Sequence, residues 1–138
     1  MLEQKLTLPR VFKTSWFSKA ARKAGIHDSE LCKAMSQVME GKADDSGGGV
    51  FKKRLNENKH RSIILAKARN CWVYEYLFAK KDRDNIEDDE LSAFRDLAKI
   101  YVRLTDDQIA RLVQNRQFEE RCSQPPRRER RSLKGGSF

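Results

Sequence analysis

The sequence predicts a small α+β fold, in which an antiparallel sheet packs against helices in the order β-α-α-β-β-β-α-α. Three observations predict this class. Apolar residues follow a helical period in the first third of the chain and again after residue 87, whereas residues 49–79 follow the period of strands. The chain has 138 residues, which suits a single domain with a modest core. We expect a loose leader at 1–9, one domain at 10–120 and a basic disordered tail at 121–138.

The N-terminal part reads as one strand followed by two helices. Arg10–Thr14 has the composition of a short strand. Residues 15–24 carry apolar side chains at helical spacing and end at Gly25, a common helix stop. Asp28 reads as the N-cap of a second amphipathic helix, which ends at Gly41.

The middle of the chain reads as three strands. The acidic, glycine-rich residues 43–49 predict a surface loop, and residues 49–55 a strand. His60–Ala68 and Cys71–Ala79 are apolar on both faces, which predicts central strands covered on both sides. The second of these strands carries four aromatic residues at alternate positions. By strand period they share one face, where they favour core packing over base stacking; they are Trp72, Tyr74, Tyr76 and Phe78.

Helical spacing returns in the C-terminal part. Asp88 or a near neighbour is expected to cap a helix with a continuous apolar stripe. Thr105 and Gln108 form a T-x-x-Q capping box, which predicts the start of a further helix.

The charge is distributed unevenly along the chain. The net charge is +9, and residues 50–83 alone carry 10 basic and 3 acidic side chains, hence +7. Residues 84–120 carry 5 basic and 10 acidic side chains, hence −5, and the tail is basic again. A basic block in the middle of a domain points to a polyanionic partner, of which nucleic acid is the most common.

Several classes of protein are not favoured by the composition. The three cysteines and two histidines are scattered without metal-ligand spacing, so we expect no metal and no cofactor. No apolar run approaches the length of a transmembrane helix, and the N-terminus lacks the apolar segment of a signal peptide. We therefore expect a cytoplasmic protein with no membrane partner.

The stretch GGGVFKKRL at residues 47–55 is the first candidate site. Glycines before cations suggest a phosphate-binding loop, but such a loop requires a following helix, and here a strand follows. On that strand Lys52 and Arg54 share a face, about 6.6 Å apart by strand rise. Lys53 lies on the other face, as an edge or snorkelling residue. Arg61 opens the next strand and would lie beside Lys52 or Arg54 if the two strands pair antiparallel.

The end of the last strand can add to this cluster. Lys81 and Arg83 follow it and could join the cations of the sheet, with Lys80 beside them. The alternative is that all these charges are simply solvated. His60 precedes Arg61 and has the pKa range of a general acid or base, although a solvated position at the strand edge explains it equally.

Several segments together resemble the RelE/HigB-like toxins of bacterial type II toxin–antitoxin modules, which have the RelE/ParE fold. The resemblance covers roughly residues 10–118. It rests on VFKT-WF-KAARKAGI, GGGVFKKRL, IILAKARNCWVYEYLFAKKDRDNI and DDELSAF, with FAKKDRDNI before the acidic helix start as its most specific part. It implies a metal-independent endoribonuclease that cuts mRNA in the ribosomal decoding site. It also implies a cognate antitoxin, by analogy a small DNA-binding protein.

The resemblance also implies roles for individual residues. The family pattern aromatic-Lys-x-Lys-Leu matches residues 51–55, so Lys52 and Arg54 would orient the RNA and activate its attacking 2′-hydroxyl. Arg61 and Lys81 would neutralise the phosphorane. The remaining basic positions would bind RNA; they are Lys53, His60, Lys80 and Arg83.

One position departs from the family pattern. RelE toxins place a tyrosine, and some relatives histidines, near the C-terminal edge of the sheet, where this chain has Asn85-Ile86-Glu87. His60 is a candidate substitute. Two other functions stay open on the sequence: a ParE-like poison of DNA gyrase, and a catalytically weak RNA-binding or regulatory protein on the same fold.

Overall fold

The computed structural model describes residues 9–68 and 70–122. Within them the chain forms four helices and a six-stranded sheet, so the α+β class is confirmed. The strands are β1 Arg10–Thr14, β2 Asp44–Gly47, β3 Val50–Leu55, β4 His60–Ala68, β5 Cys71–Ala79 and β6 Phe118–Arg121. The helices are α1 Ser15–Lys23, α2 Asp28–Met39, α3 Asp88–Val102 and α4 Asp106–Gln114. The order is therefore β-α-α-β-β-β-β-α-α-β, with two strands more than predicted.

The sheet is mixed and not purely antiparallel as expected. Its strand order is β2-β3-β4-β5-β1-β6. Strands β2 to β5 form an antiparallel meander, but β1 lies parallel to β5 with Phe12 opposite Val73. Parallel neighbours cannot be joined by a tight turn, and here two helices and strands β2 to β4 lie between β1 and β5 along the chain.

Both faces of the sheet are covered, as predicted for β4 and β5. Helices α1 and α2 pack on one face, here called the α1/α2 face, with Phe17, Met35 and Ile64 at its centre. Helices α3 and α4 pack on the other, here called the α3/α4 face, around Ile63 and Ala98. Consecutive residues of β4 thus enter opposite cores, which explains why that strand is apolar throughout.

The helix starts agree with the predictions except at α2. Thr14 accepts a hydrogen bond from the Phe17 amide at 3.0 Å and caps α1. The Thr105–Gln108 capping box of α4 is confirmed. Asp28, predicted as an N-cap, is instead the first helical residue of α2, and His27 occupies the cap position without a side-chain cap bond. The Asp28 carboxylate is used by cations of two strands, Lys13 and Arg121.

Residues 43–49, predicted as a surface loop, form a β-hairpin. Asp44–Gly47 pairs with β3 as an edge strand. The backbone has positive φ at Gly47, Gly48 and Gly49, which only glycine adopts readily. A Cβ on Gly48 would lie 2.7 Å from Arg95 Cγ, because the Arg95 side chain of α3 lies across the turn and donates to the Ser46 and Gly47 carbonyls. The glycines therefore bring this turn close to α3.

A β-bulge at Glu75 changes which face the aromatic residues of β5 occupy. Ile63 pairs with Tyr76 and Ile64 with Tyr74, so Glu75 is the extra residue. The prediction that four aromatics share one face is therefore wrong. Trp72 and Tyr74 lie in the α1/α2 core, whereas Tyr76 and Phe78 lie on the α3/α4 face.

The bulge is tied to helix α3 by one hydrogen bond. The Tyr101 hydroxyl donates to Glu75 Oε1 at 2.5 Å. Burial raises the pKa of Glu75 above its ordinary value of 4.5, and the Tyr101 bond opposes this only in part. Glu75 is half-buried, and its bond to Tyr101 joins the bulged residue of β5 to helix α3.

This pKa shift predicts the pH dependence of stability. The folded Glu75 carboxyl keeps its proton to higher pH than the unfolded chain, so the free energy of unfolding should fall as the pH rises from about 4.5 through the raised pKa. Glu75→Gln can still accept from Tyr101 but does not ionise, and this fall should be absent. Urea titrations at a series of pH values measure it, with the exposed Glu57→Gln as control. An unchanged profile in Glu75→Gln would contradict the assignment.

Strand β6 was not predicted and closes the edge of the sheet beside β1. Lys13 is buried in β1 and pairs with Asp28 of α2 at 2.7 Å, and Arg121 of β6 reaches the same carboxylate at 3.0 Å. Burial opposes ionisation of Asp28, but the bonds from these two cations outweigh it and lower its pKa. Three separate elements thus share one ion-pair network.

A disulfide links the same region. Cys122 follows β6 and bonds to Cys32 of α2, with 5.4 Å between their Cα atoms. Arg121 and Cys122 were assigned to the basic tail and are instead part of the folded region. The rest of the tail, 123–138, and residues 1–8 of the leader lie outside the described residues.

No helix within 9–68 and 70–122 is both long and apolar enough to cross a membrane.

Candidate nucleic-acid interface

The predicted cations of β3 and β4 lie together on the α3/α4 face. Arg54 pairs with Arg61 across the two strands, and Lys52 pairs with Ile63. Paired residues project to the same side of a sheet, so Lys52, Arg54 and Arg61 form one group, here called the cation cluster. They border a pocket of about 180 Å³ together with Lys53, Asp44 and Asp84.

The cluster is held mainly by uncharged groups. Lys52 Nζ donates to Asn85 Oδ1 at 2.9 Å. Arg61 donates to the carbonyls of Asn58 at 3.0 Å and of His60 at 3.2 Å. Within the described part of the chain, no carboxylate forms an ion pair with Lys52, Arg54 or Arg61. Asp44, which is opposite Lys52 in β2, and Asp84 border the same pocket but form no ion pair with the three cations. The adjacent cations therefore repel each other, and an anion such as phosphate would relieve this repulsion.

Lys53 borders the same pocket but projects to the other side of β3 from the cation cluster, as its position in the strand predicts. Its amino group donates to the Lys42 carbonyl at 2.9 Å. Burial, together with repulsion from Lys42 and Arg54, lowers its pKa. The amino group of Lys53 is thus hydrogen-bonded to the backbone that follows α2 and does not project toward the cation cluster.

Lys80, Lys81 and Arg83 do not join the cation cluster. After β5 the chain turns back, with the Asp82 amide bonded to the Ala79 carbonyl at 3.0 Å, and these residues border a separate groove. Arg83 forms a two-point ion pair with Glu90, which raises the pKa of the guanidinium, and its charge is thereby partnered within the protein. The single cluster expected from strand pairing is therefore divided in two, with Asp84 bordering both parts.

The second part is a groove of about 1170 Å³ beside helix α1, here called the aromatic groove. Trp16 of α1 is half exposed and stacks on Tyr76 of β5, with ring centroids 4.9 Å apart. Phe78 lies next to Tyr76, and Arg83 lies 5.5 Å above the Phe78 ring. The groove is lined by aromatic and basic side chains, among them Trp16, His60, Tyr76, Phe78, Lys80 and Lys81.

His60 lies in the aromatic groove and not in the cation cluster. Its Nδ1 is 3.2 Å from the Asn56 side-chain nitrogen. Burial, with a contribution from Lys81, lowers the pKa of His60 below 6.5 despite the opposing effect of Glu30. Burial therefore favours the neutral imidazole, which adds little positive charge to a phosphate site.

The charge state of His60 predicts a difference in salt dependence. If Lys81 contacts one phosphate of bound single-stranded RNA, Lys81→Ala should reduce the slope of log affinity against log salt by about 0.7. His60→Gln should leave this slope nearly unchanged at neutral pH, because burial favours the neutral form of the imidazole. Fluorescence anisotropy of a labelled oligonucleotide at several salt concentrations measures both. A reduced slope in His60→Gln would show that the histidine is charged.

Sequence reasoning missed the groove because it placed the four aromatic residues of β5 on one face. Phe78 is in the core as predicted, at 6 % exposure, whereas Tyr76 is only partly buried and stacks on Trp16. One signal was present: Glu75 is the single charged residue in CWVYEYLF, and a carboxylate inside an apolar central strand indicates a local break in period. Asn85, the partner of Lys52, and Trp16 carried no comparable signal. Their placement depends on how the 80–87 loop and α1 meet the sheet.

The fold and the site together define a small basic α+β protein, whose sheet presents unpaired cations on an open part of one face. The sequence matches the family model of the RelE toxin of the RelE/RelB toxin–antitoxin system over residues 9–120. The chain belongs to this family and is a toxin of a toxin–antitoxin system, with a cognate antitoxin as its partner. Comparison with curated proteins and with solved structures found no match.

Proposed function

We propose that this toxin is an endoribonuclease that cuts mRNA in the decoding site of the ribosome, in the cytoplasm, and so inhibits translation. The observation that carries the proposal is the cation cluster: Lys52, Arg54 and Arg61 lie side by side without a carboxylate partner among the described residues. Family membership supports the ribonuclease reaction, because RelE toxins are generally endoribonucleases.

The proposed reaction is an internal transfer at one phosphate. The 2′-hydroxyl oxygen attacks the adjacent phosphorus in line, and the bond to the 5′ oxygen breaks. A cyclic 2′,3′-phosphate and a free 5′-hydroxyl are left, since the proton lost by the attacking hydroxyl is balanced by one gained by the leaving oxygen. Lys52 and Arg54 orient the phosphate and favour ionisation of the 2′-hydroxyl, and Arg61 stabilises the charge of the phosphorane.

The other predicted residues receive more distant roles in this proposal. Lys80 and Lys81 border the aromatic groove, where they bind flanking phosphates of the same strand. Arg83 holds the 80–87 loop to Glu90 and acts on the site through that loop, with Lys53 playing no direct part. His60 lies in the aromatic groove and outside the cation cluster, so it does not protonate the leaving oxygen in this proposal.

Mapping of transcript ends in living cells tests the proposal. After brief induction of the toxin, new 5′ ends are expected within translated regions, and they should be absent from transcripts whose start codon has been removed. Intact transcripts with gyrase trapped on DNA would support a ParE-like activity in its place. Intact transcripts with salt-sensitive RNA binding would support a regulatory protein on the same fold. Either result would refute the ribonuclease proposal.

A further inference from the structure

We propose that the aromatic groove is a nucleobase-binding site, in which an unpaired base of the bound RNA stacks on the exposed face of Trp16. The inference rests on the proposed function for the identity of the strand, and it adds a second contact beyond the cleaved phosphate. Four features of the groove support it: the exposure of Trp16, the packing behind its ring, the charge of the rim and the position beside the cation cluster.

Trp16 is unusually exposed for its size and type. Its relative exposure is 50 %, whereas Trp72, the other tryptophan, is 9 % exposed within the core. One ring face of Trp16 is covered by Tyr76, at an interplanar angle of 19°. The exposed surface of Trp16 therefore includes ring surface that Tyr76 does not cover. A flat indole face open to a groove is a surface on which any base can stack.

Further aromatic residues pack against Tyr76 and so support the Trp16 ring. Tyr76 contacts Phe78 with centroids 6.1 Å apart and Phe94 of α3 at 5.8 Å. This stack connects Trp16 on α1 to α3 through the sheet, so that the indole is held in place before any ligand binds. A pre-positioned platform loses little conformational entropy on binding.

The rim of the groove complements a nucleic-acid strand. Four lysines border it, and they outnumber the two carboxylates of Asp82 and Asp84; the lysines are Lys23, Lys59, Lys80 and Lys81. Aromatic rings inside a basic rim are the combination that single-stranded nucleic acid requires, since bases stack and phosphates pair with cations. A strand of RNA therefore suits the groove better than an acidic peptide, which offers charge but no flat rings for Trp16.

The groove lies beside the cation cluster on the sheet, and Asp84 borders both. Arg54, Arg61 and Phe78 form one cross-strand row on the α3/α4 face, and Lys52, Ile63 and Tyr76 form the next. Neighbouring strands are about 4.8 Å apart, so the aromatic end of each row lies about 10 Å from its cationic end. A strand with a phosphate at the cluster can thus place an adjacent base in the groove.

A binding experiment with uncleavable RNA tests the proposal independently of catalysis. The probe is a short 2′-O-methyl oligoribonucleotide, which lacks the attacking hydroxyl, and the protein is the full chain. Trp16→Ala should weaken its affinity roughly 5- to 150-fold, the effect of losing one stacked base. Trp16→Phe should bind nearly as the wild type. In a second probe 2-aminopurine replaces single bases, and its fluorescence should be quenched at one position by the wild type and not by Trp16→Ala.

Matched controls separate stacking from charge and from folding. Ile100→Ala removes an equally exposed apolar side chain from α3, away from the groove, and should leave affinity unchanged. An oligonucleotide with abasic positions keeps the phosphates, and wild type and Trp16→Ala should bind it equally. Circular dichroism verifies that Trp16→Ala is folded.

Three outcomes would overturn the proposal. The wild type shows no measurable binding, Trp16→Ala binds as tightly as Ile100→Ala, or Trp16→Ala loses as much affinity for the abasic probe as for the intact one. Loss of antitoxin binding alone in Trp16→Ala would likewise assign the groove to a protein segment. Failure of the ribonuclease proposal gives a different pattern, in which transcripts stay intact while the 2-aminopurine signal persists.

Discussion

Arg61→Ala is expected to reduce the rate of mRNA cleavage by about 100- to 1,000-fold, the usual cost of removing one group that stabilises charge in a transition state. Arg61 lies opposite Arg54 in the cation cluster, and the backbone carbonyls of Asn58 and His60 hold its guanidinium. Arg61→Lys keeps a charge but not the planar fork, so it should recover only part of the rate. Primer extension on a translated message, with purified ribosomes, measures both.

The control for this prediction is Lys33→Ala. Lys33 is an exposed cation on α2, on the opposite side of the sheet, so its removal lowers the net charge equally without touching the cluster. Its cleavage rate should equal that of the wild type. If Lys33→Ala loses as much activity as Arg61→Ala, then overall charge and not the cation cluster determines the rate. Unaltered cleavage by Arg61→Ala would remove the main support for the proposed site.

Breaking the Cys32–Cys122 disulfide is expected to lower the free energy of unfolding by about 2–4 kcal/mol. The bond joins residues 90 apart in sequence, and it ties the end of β6 to α2. Its loss frees much of the unfolded chain from a constraint and also loosens the edge strand. Cys122→Ser, studied without reductant, should show this loss in urea titrations.

Wild-type protein in dithiothreitol should behave like Cys122→Ser without it, because both lack the same bond. Cys71→Ser provides the matched control, since Cys71 is the free cysteine of the described residues. It should keep its sensitivity to dithiothreitol, whereas Cys122→Ser should have none. An identical free energy of unfolding for wild type with and without dithiothreitol would show that the bond contributes no stability. The proposed function places the toxin in the cytoplasm, where thiols are normally reduced, so the reduced form is the one to compare with the proposed activity in cells.

The sequence predicted those elements of the fold whose signals come from neighbouring residues. Helix α1 and the capping box of Thr105 and Gln108 follow from apolar period and end signals, which depend on neighbouring residues alone. Strands β3, β4 and β5 were recognised from their period in the same way. Strands β2 and β6 were not, because short edge strands have no apolar pattern of their own and exist through the hydrogen bonds of the strand beside them.

The candidate site likewise has one part that the sequence predicted and one part that depends on tertiary contacts. Strand alternation and one short turn were sufficient to place Lys52, Arg54 and Arg61 together, and the register of β3 and β4 agrees. The position of Lys81 and Arg83 could not be predicted, since it depends on where the chain turns after Ala79 and on the ion pair of Arg83 with Glu90. That pair depends in turn on the orientation of α3 relative to the sheet.

Composition and period by themselves thus determined a basic α+β domain with cations grouped on one sheet face, and motif resemblance determined its family. Only the tertiary structure decided where the aromatic residues of β5 lie. Glu75 hydrogen-bonds to Tyr101 of α3, and the bulge at this residue turns Tyr76 and Phe78 toward the face that carries the cations. A one-residue shift in register exchanges the two faces of a strand, and the contact that holds this shift joins residues 26 apart in sequence, beyond the reach of any local pattern.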